Sequence, residues 1–382
     1  MQVLTDTESI AGFCRRLRDD TWITVDTEFI PERTFWPQLC LVQIAGAGDA
    51  AVIDALADGV DLGPVFDLMT DRNILKVFHS GRQDLEIFLH LSGSLPHPVF
   101  DTQIAAMACG HGEQVSYARI VEAVTGKAIG KGARITDWSK RPLSRNQIAY
   151  ALEDVTHLRR VYEHLSSMLA SKGRETWVGE RMAWLNDPQT YRNDVSHAWT
   201  RIRKKPRRPR DLAVLREVAA WRERQAQERN LPRRRIITDD ALVAIATSRP
   251  QSQEALQGVR LVPRGMAEGS RGRQIVQAVN RAMEIGTDAL PRPDDSQAAR
   301  VPLALADLIR TLINARCEEI GVAQALIASS DEIRRFAATP PGDSPLACGW
   351  RYDLLGRDIE RLRDGTVALS LEKGTLRLVP LP

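Results

Sequence analysis

The 382-residue chain has little of what marks several large protein classes. Its five cysteines, Cys14, Cys40, Cys109, Cys317 and Cys348, are odd in number and none stand at CxxC spacing. A disulfide framework is disfavoured, and buried free thiols in a reducing compartment are expected. No Cys/His group has zinc-ligand spacing. No stretch approaches the ~20 apolar residues that a spanning helix needs, so no membrane association is expected. The N-terminus has neither the basic segment nor the apolar run of a secretory signal, which makes the cytoplasm the expected location. Glycines are present without a nucleotide-binding fingerprint: "GKAIGKGAR" reads as a mobile loop and "GAGDA" (46–50) as a turn. No oligomerisation signal stands out, and a monomer is expected.

What is present is ordinary in amount and uneven in distribution. A hydrophobic fraction of 43% and a charged fraction of 26% fit a globular chain long enough for two or three domains. Net charge is only +3, but "RIRKKPRRPR" (201–210) and "RNLPRRRI" (229–236) concentrate arginine and lysine, while residues 1–100 are acid-rich. An acidic region followed by basic clusters is compatible with a nucleic-acid enzyme. A solvated linker is an equal reading of 201–210.

The first 170 residues alternate strand and helix patterns. "WITVDTEF", "LCLVQIAG" and "AAVIDA" leave no room for helices between them and predict an antiparallel run. β–α alternation follows, so an α/β fold with a mixed sheet flanked by helices is expected. From Ser144 to Leu169, apolar residues recur every three or four positions, an amphipathic helix. Helix-rich blocks over 207–287 and 298–382 follow a helical, basic linker over 171–206. The tail "TVALSLEKGTLRLVPL" predicts a hairpin turning at Lys373-Gly374.

Asp26 and Glu28 interrupt the apolar strand "TWITVDTEFI" two residues apart, which puts both on one face. Asp84 stands near the start of a helix in "FHSGRQDLEIF". Tyr150 and Asp154, four apart in "YALEDVTHL", share one helix face. Each alone has a bland explanation: an exposed strand face, a helix-dipole partner, a chance spacing.

In this order they form the Asp-x-Glu, Asp, Tyr-x-x-x-Asp pattern of the DEDD exonucleases, tyrosine subclass. "VDTEF", "LCLVQIA", "FHSGRQDLEIF", "FDTQIAAM" and "SRNQIAYALEDV" resemble the ribonuclease D family. "LREVAAWRERQAQERNLPRRRIITDDALVAIA" resembles a helicase-and-RNase-D C-terminal (HRDC) domain, and the block from about 298 resembles a more divergent copy. The resemblance implies a ribonuclease H-like exonuclease domain over 1–170 followed by two helical HRDC domains. It also implies a 3′→5′ exoribonuclease that trims tRNA precursors with 3′ extensions and other small structured RNAs.

Phosphodiester hydrolysis develops charge on the attacking and leaving oxygens, and two divalent ions ~4 Å apart can stabilise both. Carboxylate oxygens suit Mg2+ or Mn2+. Asp26 is then expected to bridge two such cations, Glu28 and Asp154 to complete the nucleophile side, and Asp84 to serve the leaving-group side. A phenol with a pKa near ~10 is a poor base at neutral pH, so Tyr150 is assigned to orienting the water.

Substrate contacts are expected from Thr27, Phe29, Gln38, Leu39, His79, Lys131, Arg233 and Arg234. "FWPQL" (35–39) is a wall for the terminal base or, alternatively, a closure of the core. His79 is a substrate contact or a satisfied core histidine. His157 is a candidate for the site edge, Glu153 a solvated residue, and Asp101 reads as a helix N-cap rather than a fifth ligand. A DNA exonuclease and a non-catalytic RNA-binding scaffold are the rival functions. The intact acid set argues against the scaffold.

Overall fold

The computed structural model describes residues 3–130, 136–291, 303–338 and 344–382. It divides into two compact units, one of residues 1–28, 39–190 and 297–382, the other of residues 29–38 and 191–296.

The first unit contains six strands: β1 (Val3–Leu4), β2 (Trp22–Ile30), β3 (Gln38–Ala45), β4 (Ala50–Asp54), β5 (Leu75–Phe78) and β6 (Val99–Asp101). Their order is β1-β4-β3-β2-β5-β6. β3 and β4 pair antiparallel, whereas β1–β4, β2–β5 and β5–β6 pair parallel. This is the expected mixed sheet. The close spacing of β3 and β4 leaves only a turn between them, while the parallel pairs need helical crossovers. Those are supplied by α1 (Thr7–Leu17), α2 (Gly63–Thr70) and α3 (Arg82–Ser92); α4 (Thr102–Cys109) and α5 (Tyr117–Thr125) follow the last strand. Asp6 caps α1, accepting from the Ser9 amide at 2.8 Å.

Helix α6 (Arg145–Ser171) is 27 residues long. It starts in a capping box: the Ser144 hydroxyl accepts from the Gln147 amide, and the Gln147 side chain accepts from the Ser144 amide. Ala151, Val155, Leu158, Val161, Leu165 and Leu169 form its buried stripe, each large aliphatic contributing ~1.5–3 kcal/mol on burial. Three contacts fix its direction along β2. Trp22 meets Tyr162 at 4.6 Å between ring centroids and carries the Arg159 guanidinium at 3.8 Å. The Thr24 hydroxyl donates to the Val155 carbonyl at 2.8 Å. Asp26 and Glu28 come next to Asp154. The helix thus runs antiparallel to the strand. Six strand steps from Trp22 to Glu28 span ~20 Å and twelve helix steps from Tyr162 to Tyr150 span ~18 Å, so the two elements stay in register to the site.

The C-terminal block, from the helix Leu303–Ile320 onward, has its own core of Ile309, Ile313, Phe336, Leu355 and Ile359. It is fastened to the sheet module through α7 (Glu175–Leu185). Trp177 stacks on Trp350 at 4.6 Å with ring planes 7° apart. Arg174 donates to the carbonyls of Ala108 and Ile320, both at 2.7 Å. Strands β7 (Val367–Glu372) and β8 (Thr375–Pro380) form the predicted hairpin. Lys373 and Gly374 both have positive φ, 51° and 84°, the conformation that a two-residue turn of matching twist requires.

The second unit is helical, built on α8 (Pro209–Glu228) with shorter helices to Glu284. Val214, Val218, Trp221, Leu242, Ile245, Ile275 and Val279 form its core. At Gly272 a Cβ would lie 1.9 Å from the Ala267 carbonyl oxygen, so the close approach of two helices there needs glycine. Residues 29–38, from the β2–β3 connection, belong to this unit. Phe35 packs on its core and carries the Arg233 guanidinium at 4.5 Å, and the Trp36 amide donates to Asn230 at 3.0 Å. Phe35 therefore closes the helical core, the second of the two readings of "FWPQL".

Candidate active site

Strand β2 delivers Asp26 and Glu28 on the face that α6 covers, and α6 delivers Asp154 in its third turn. One carboxylate oxygen from each lies within 4.8 Å of the others. Asp84 arrives from a third element, α3. It sits in the first turn of α3 and accepts a short hydrogen bond from the Thr27 hydroxyl. Thr27 is buried, on the strand face opposite Asp26 and Glu28, so its role differs from the expected substrate contact: it ties Asp84 to the strand.

The turn that launches α3 is tightly built. Ser80 has φ 61°, and a Cβ on Gly81 would lie 2.5 Å from that of Phe78. The buried Asp101 carboxylate accepts from the amides of Ser80 (3.1 Å) and Gly81 (2.8 Å) and, as N-cap of α4, from Gln103 (2.7 Å). Asp101 is thus the expected cap and also the clamp of this turn.

His79 takes the second of its two readings, the satisfied core histidine. Its Nδ1 meets the Thr102 hydroxyl at 2.9 Å and its Nε2 the Val115 carbonyl at 3.1 Å, so both ring nitrogens are spent inside the protein. Burial, its largest influence, lowers its pKa. Its ring packs against Tyr117 at 5.6 Å. The Tyr117 hydroxyl donates to the backbone carbonyls of Asp154 (2.5 Å) and Glu153 (3.0 Å). Tyr117 and Trp138, whose ring lies 6.2 Å from that of Tyr150, are supports that the sequence pattern did not reveal. Neither stands at a fixed spacing from the acids.

The carboxylates crowd one another. Burial lifts Asp26 well above the ordinary carboxylate range, with Asp84, Asp154 and Glu28 adding to the effect. Glu28 is pushed up to about 8, first by burial and then by Asp154 and Asp84. Burial raises Asp84 to about 7 against the Thr27 hydroxyl, and Asp154 to about 7 against the Tyr150 hydroxyl. Burial and the same acids raise the Tyr150 phenol, which makes it a still poorer base. No cation is among the groups that shift these four acids. An all-oxygen, electron-rich set with uncompensated charge fits a hard divalent cation.

The other predicted residues are dispersed. Leu39 is buried in β3. Phe29, half-buried, and Gln38, exposed, fall in the second unit. Lys131 lies outside the described residues. Arg234 is exposed on the short helix Arg233–Ile236. Arg233 is a correction: it donates to both oxygens of the fully buried Glu223, at 2.7 and 2.6 Å, which Arg201 also meets at 3.0 Å. His157 is half-buried beside Asp154 in sequence, and Glu153 is exposed.

Sheet, helices and acid cluster define a metal-dependent 3′→5′ exonuclease. A 3′-5′ exonuclease family model matches residues 1–170, and an HRDC domain model matches residues 211–279. The chain is 45% identical to ribonuclease D of Gluconacetobacter diazotrophicus over 99% of this chain and 96% of that one. It is 43% identical to ribonuclease D of Nitrobacter hamburgensis over 98% of both. Its structure is similar to that of Escherichia coli RNase D, described as an exoribonuclease involved in structured RNA processing, with a TM-score of 0.79, 29% identity and coverage of 95% of this chain and 98% of that one. The chain belongs to the ribonuclease D family and is a hydrolytic 3′→5′ exoribonuclease.

Proposed function

We propose that this exoribonuclease trims tRNA precursors with 3′ extensions and other small structured RNAs, releasing nucleoside 5′-monophosphates. The observation that carries the reading is the uncompensated cluster of Asp26, Glu28 and Asp154, with Asp84 tied in through Thr27. Two divalent cations, Mg2+ or Mn2+, held by these four residues would supply the charge that stabilises the attacking and leaving oxygens. Asp26, which leads the pair on β2, would be shared by both ions; Glu28 and Asp154 would serve the nucleophile side and Asp84 the leaving-group side. The Tyr150 hydroxyl orients the attacking water and takes no proton, in keeping with its raised pKa.

The HRDC domain grips the RNA body through exposed side chains such as Arg234, giving salt-dependent affinity without sequence choice. The block from residue 303 is a divergent HRDC-like domain that packs on the exonuclease module. The protein acts as a monomer in the cytoplasm. Among the described residues, no helix is long and apolar enough to cross a membrane.

The test compares a tRNA with an unpaired 3′ extension against single-stranded DNA equal in length to that extension, in Mg2+ and in Mn2+. Stepwise loss of the RNA extension with release of 5′-monophosphates is expected. Faster degradation of the DNA, with the RNA spared, would reject the substrate assignment.

A further inference from the structure

Residues seven apart on a helix lie nearly in line, drifting by ~20° per step. Tyr150, His157, His164 and Ser171 are spaced in this way along α6, so the row that holds the site tyrosine continues away from the carboxylates. Beside this row, α6 and the end of α5 enclose a surface groove. Lys127, His157, Arg160 and His164 line it, together with the hydroxyls of Thr125 and Ser167. Among the described residues Glu163 is the one carboxylate in that lining, 3.5 Å from Arg160 in a solvent-exposed pair. Such exposed pairs are weak, and the Arg160 side chain remains 74% exposed, so its guanidinium is open to a further partner.

Cations, imidazoles and hydroxyls in one groove suit a chain of phosphates, since each offers N–H or O–H donors and two carry fixed charge. From His157 to Ser171 the helix runs ~21 Å, room for roughly six nucleotides of a stacked strand at ~3.4 Å per charge. His157 starts the track one turn beyond Asp154, on the flank that Tyr150 occupies.

We propose that the α5–α6 groove binds the phosphate backbone of the RNA strand upstream of the 3′ end being cut. The assignment rests on RNA being the substrate. It adds a binding track on the exonuclease module itself, independent of the HRDC domain.

The test is the double variant Lys127→Glu/Arg160→Glu in the full chain, assayed on a single-stranded dodecanucleotide and on a trinucleotide, whose one upstream phosphate falls short of Arg160, ~9 Å along α6 from Asp154. For the long RNA, kcat/KM is expected to fall ~10-fold, and its dependence on log salt to become shallower by about 1.4, the loss of two phosphate contacts on a single strand. Trinucleotide turnover is expected to stay within twofold. The neutral pair Lys127→Gln/Arg160→Gln carries the same test with a smaller fall, should charge reversal impair folding. Unchanged long-RNA kinetics and salt slope, or an equal loss on both lengths, overturns the assignment. Wild-type protein that degrades neither RNA would overturn the exoribonuclease reading, and this assignment with it.

Discussion

Glu223 in the helical unit is fully buried, and Arg233 and Arg201 surround it with three hydrogen bonds. Glu28 in the sheet unit is partly buried, and its named neighbours are Asp154 and Asp84. Burial works against ionisation in both places, yet the outcomes are opposite. The guanidiniums bring Glu223 below the ordinary glutamate range in spite of burial, while Glu28 is driven up to about 8. Glu223 is a finished ion pair, complete within the chain. Glu28, with Asp26, Asp84 and Asp154, is a charge set that the described residues leave uncompensated, and an added cation would complete it. A buried acid supplied with its own arginines holds the fold together; buried acids left to one another mark a site for chemistry.

The largest expected effect comes from removing an acid on the uncompensated side. Asp26→Asn should lower metal-dependent nucleotide release by about a thousandfold, the scale of several kcal/mol of transition-state stabilisation. RNA binding, measured by filter retention in the absence of hydrolysis, should hardly change. Full activity in this variant would sink the carboxylate assignment.

On the compensated side, Glu223→Gln should cost ~2–3 kcal/mol by leaving two arginines without their charged acceptor, and lower Tm by several degrees. Trinucleotide turnover below the transition should be untouched. A Tm equal to that of the wild type would show that the pair contributes nothing to the fold.

The two settings should also pull stability in opposite directions with pH. Asp84 and Asp154 at about 7 and Glu28 at about 8 hold protons in the folded state that the unfolded chain releases near pH 4. The metal-free protein should therefore lose stability as pH rises from about 4 to about 8, a Tm fall of a few degrees that saturating Mg2+ should remove. Glu223, held low, contributes stability present above its ordinary range and lost as pH falls toward acid. Differential scanning calorimetry from about pH 2.5 to about 8.5, with and without metal, separates the two limbs. A metal-free Tm that rises steadily to pH 8 would contradict the crowding of the four acids.

The smallest effect is the sharpest check on how the site is held. Tyr117→Phe removes one hydroxyl that donates to the Asp154 and Glu153 carbonyls. A cost of about 1 kcal/mol should appear as roughly a fivefold fall in kcat with KM unchanged. A change confined to KM would place Tyr117 with the substrate instead.

Whatever depends on period and spacing is readable directly from the order of residues. Alternation along β2 put Asp26 and Glu28 on one face, and a four-residue step on α6 put Tyr150 above Asp154, because strand and helix geometry fix which neighbours share a side. The Asp101 cap and the Lys373-Gly374 turn were legible for the same local reason. Which side chain each group meets across the chain follows from long-range packing instead. Thr27 lies one residue from two metal-type ligands, yet its hydroxyl goes to Asp84, 57 positions away. His79 stands five residues before Asp84 but spends its nitrogens on Thr102 and Val115. Arg233 and Arg234 are adjacent in a basic run; the first is committed to Glu223 and the second is exposed. Composition assigns them the same charge, and only long-range packing, which sets the partner and the access to water, ties one to a buried carboxylate and leaves the other to solvent.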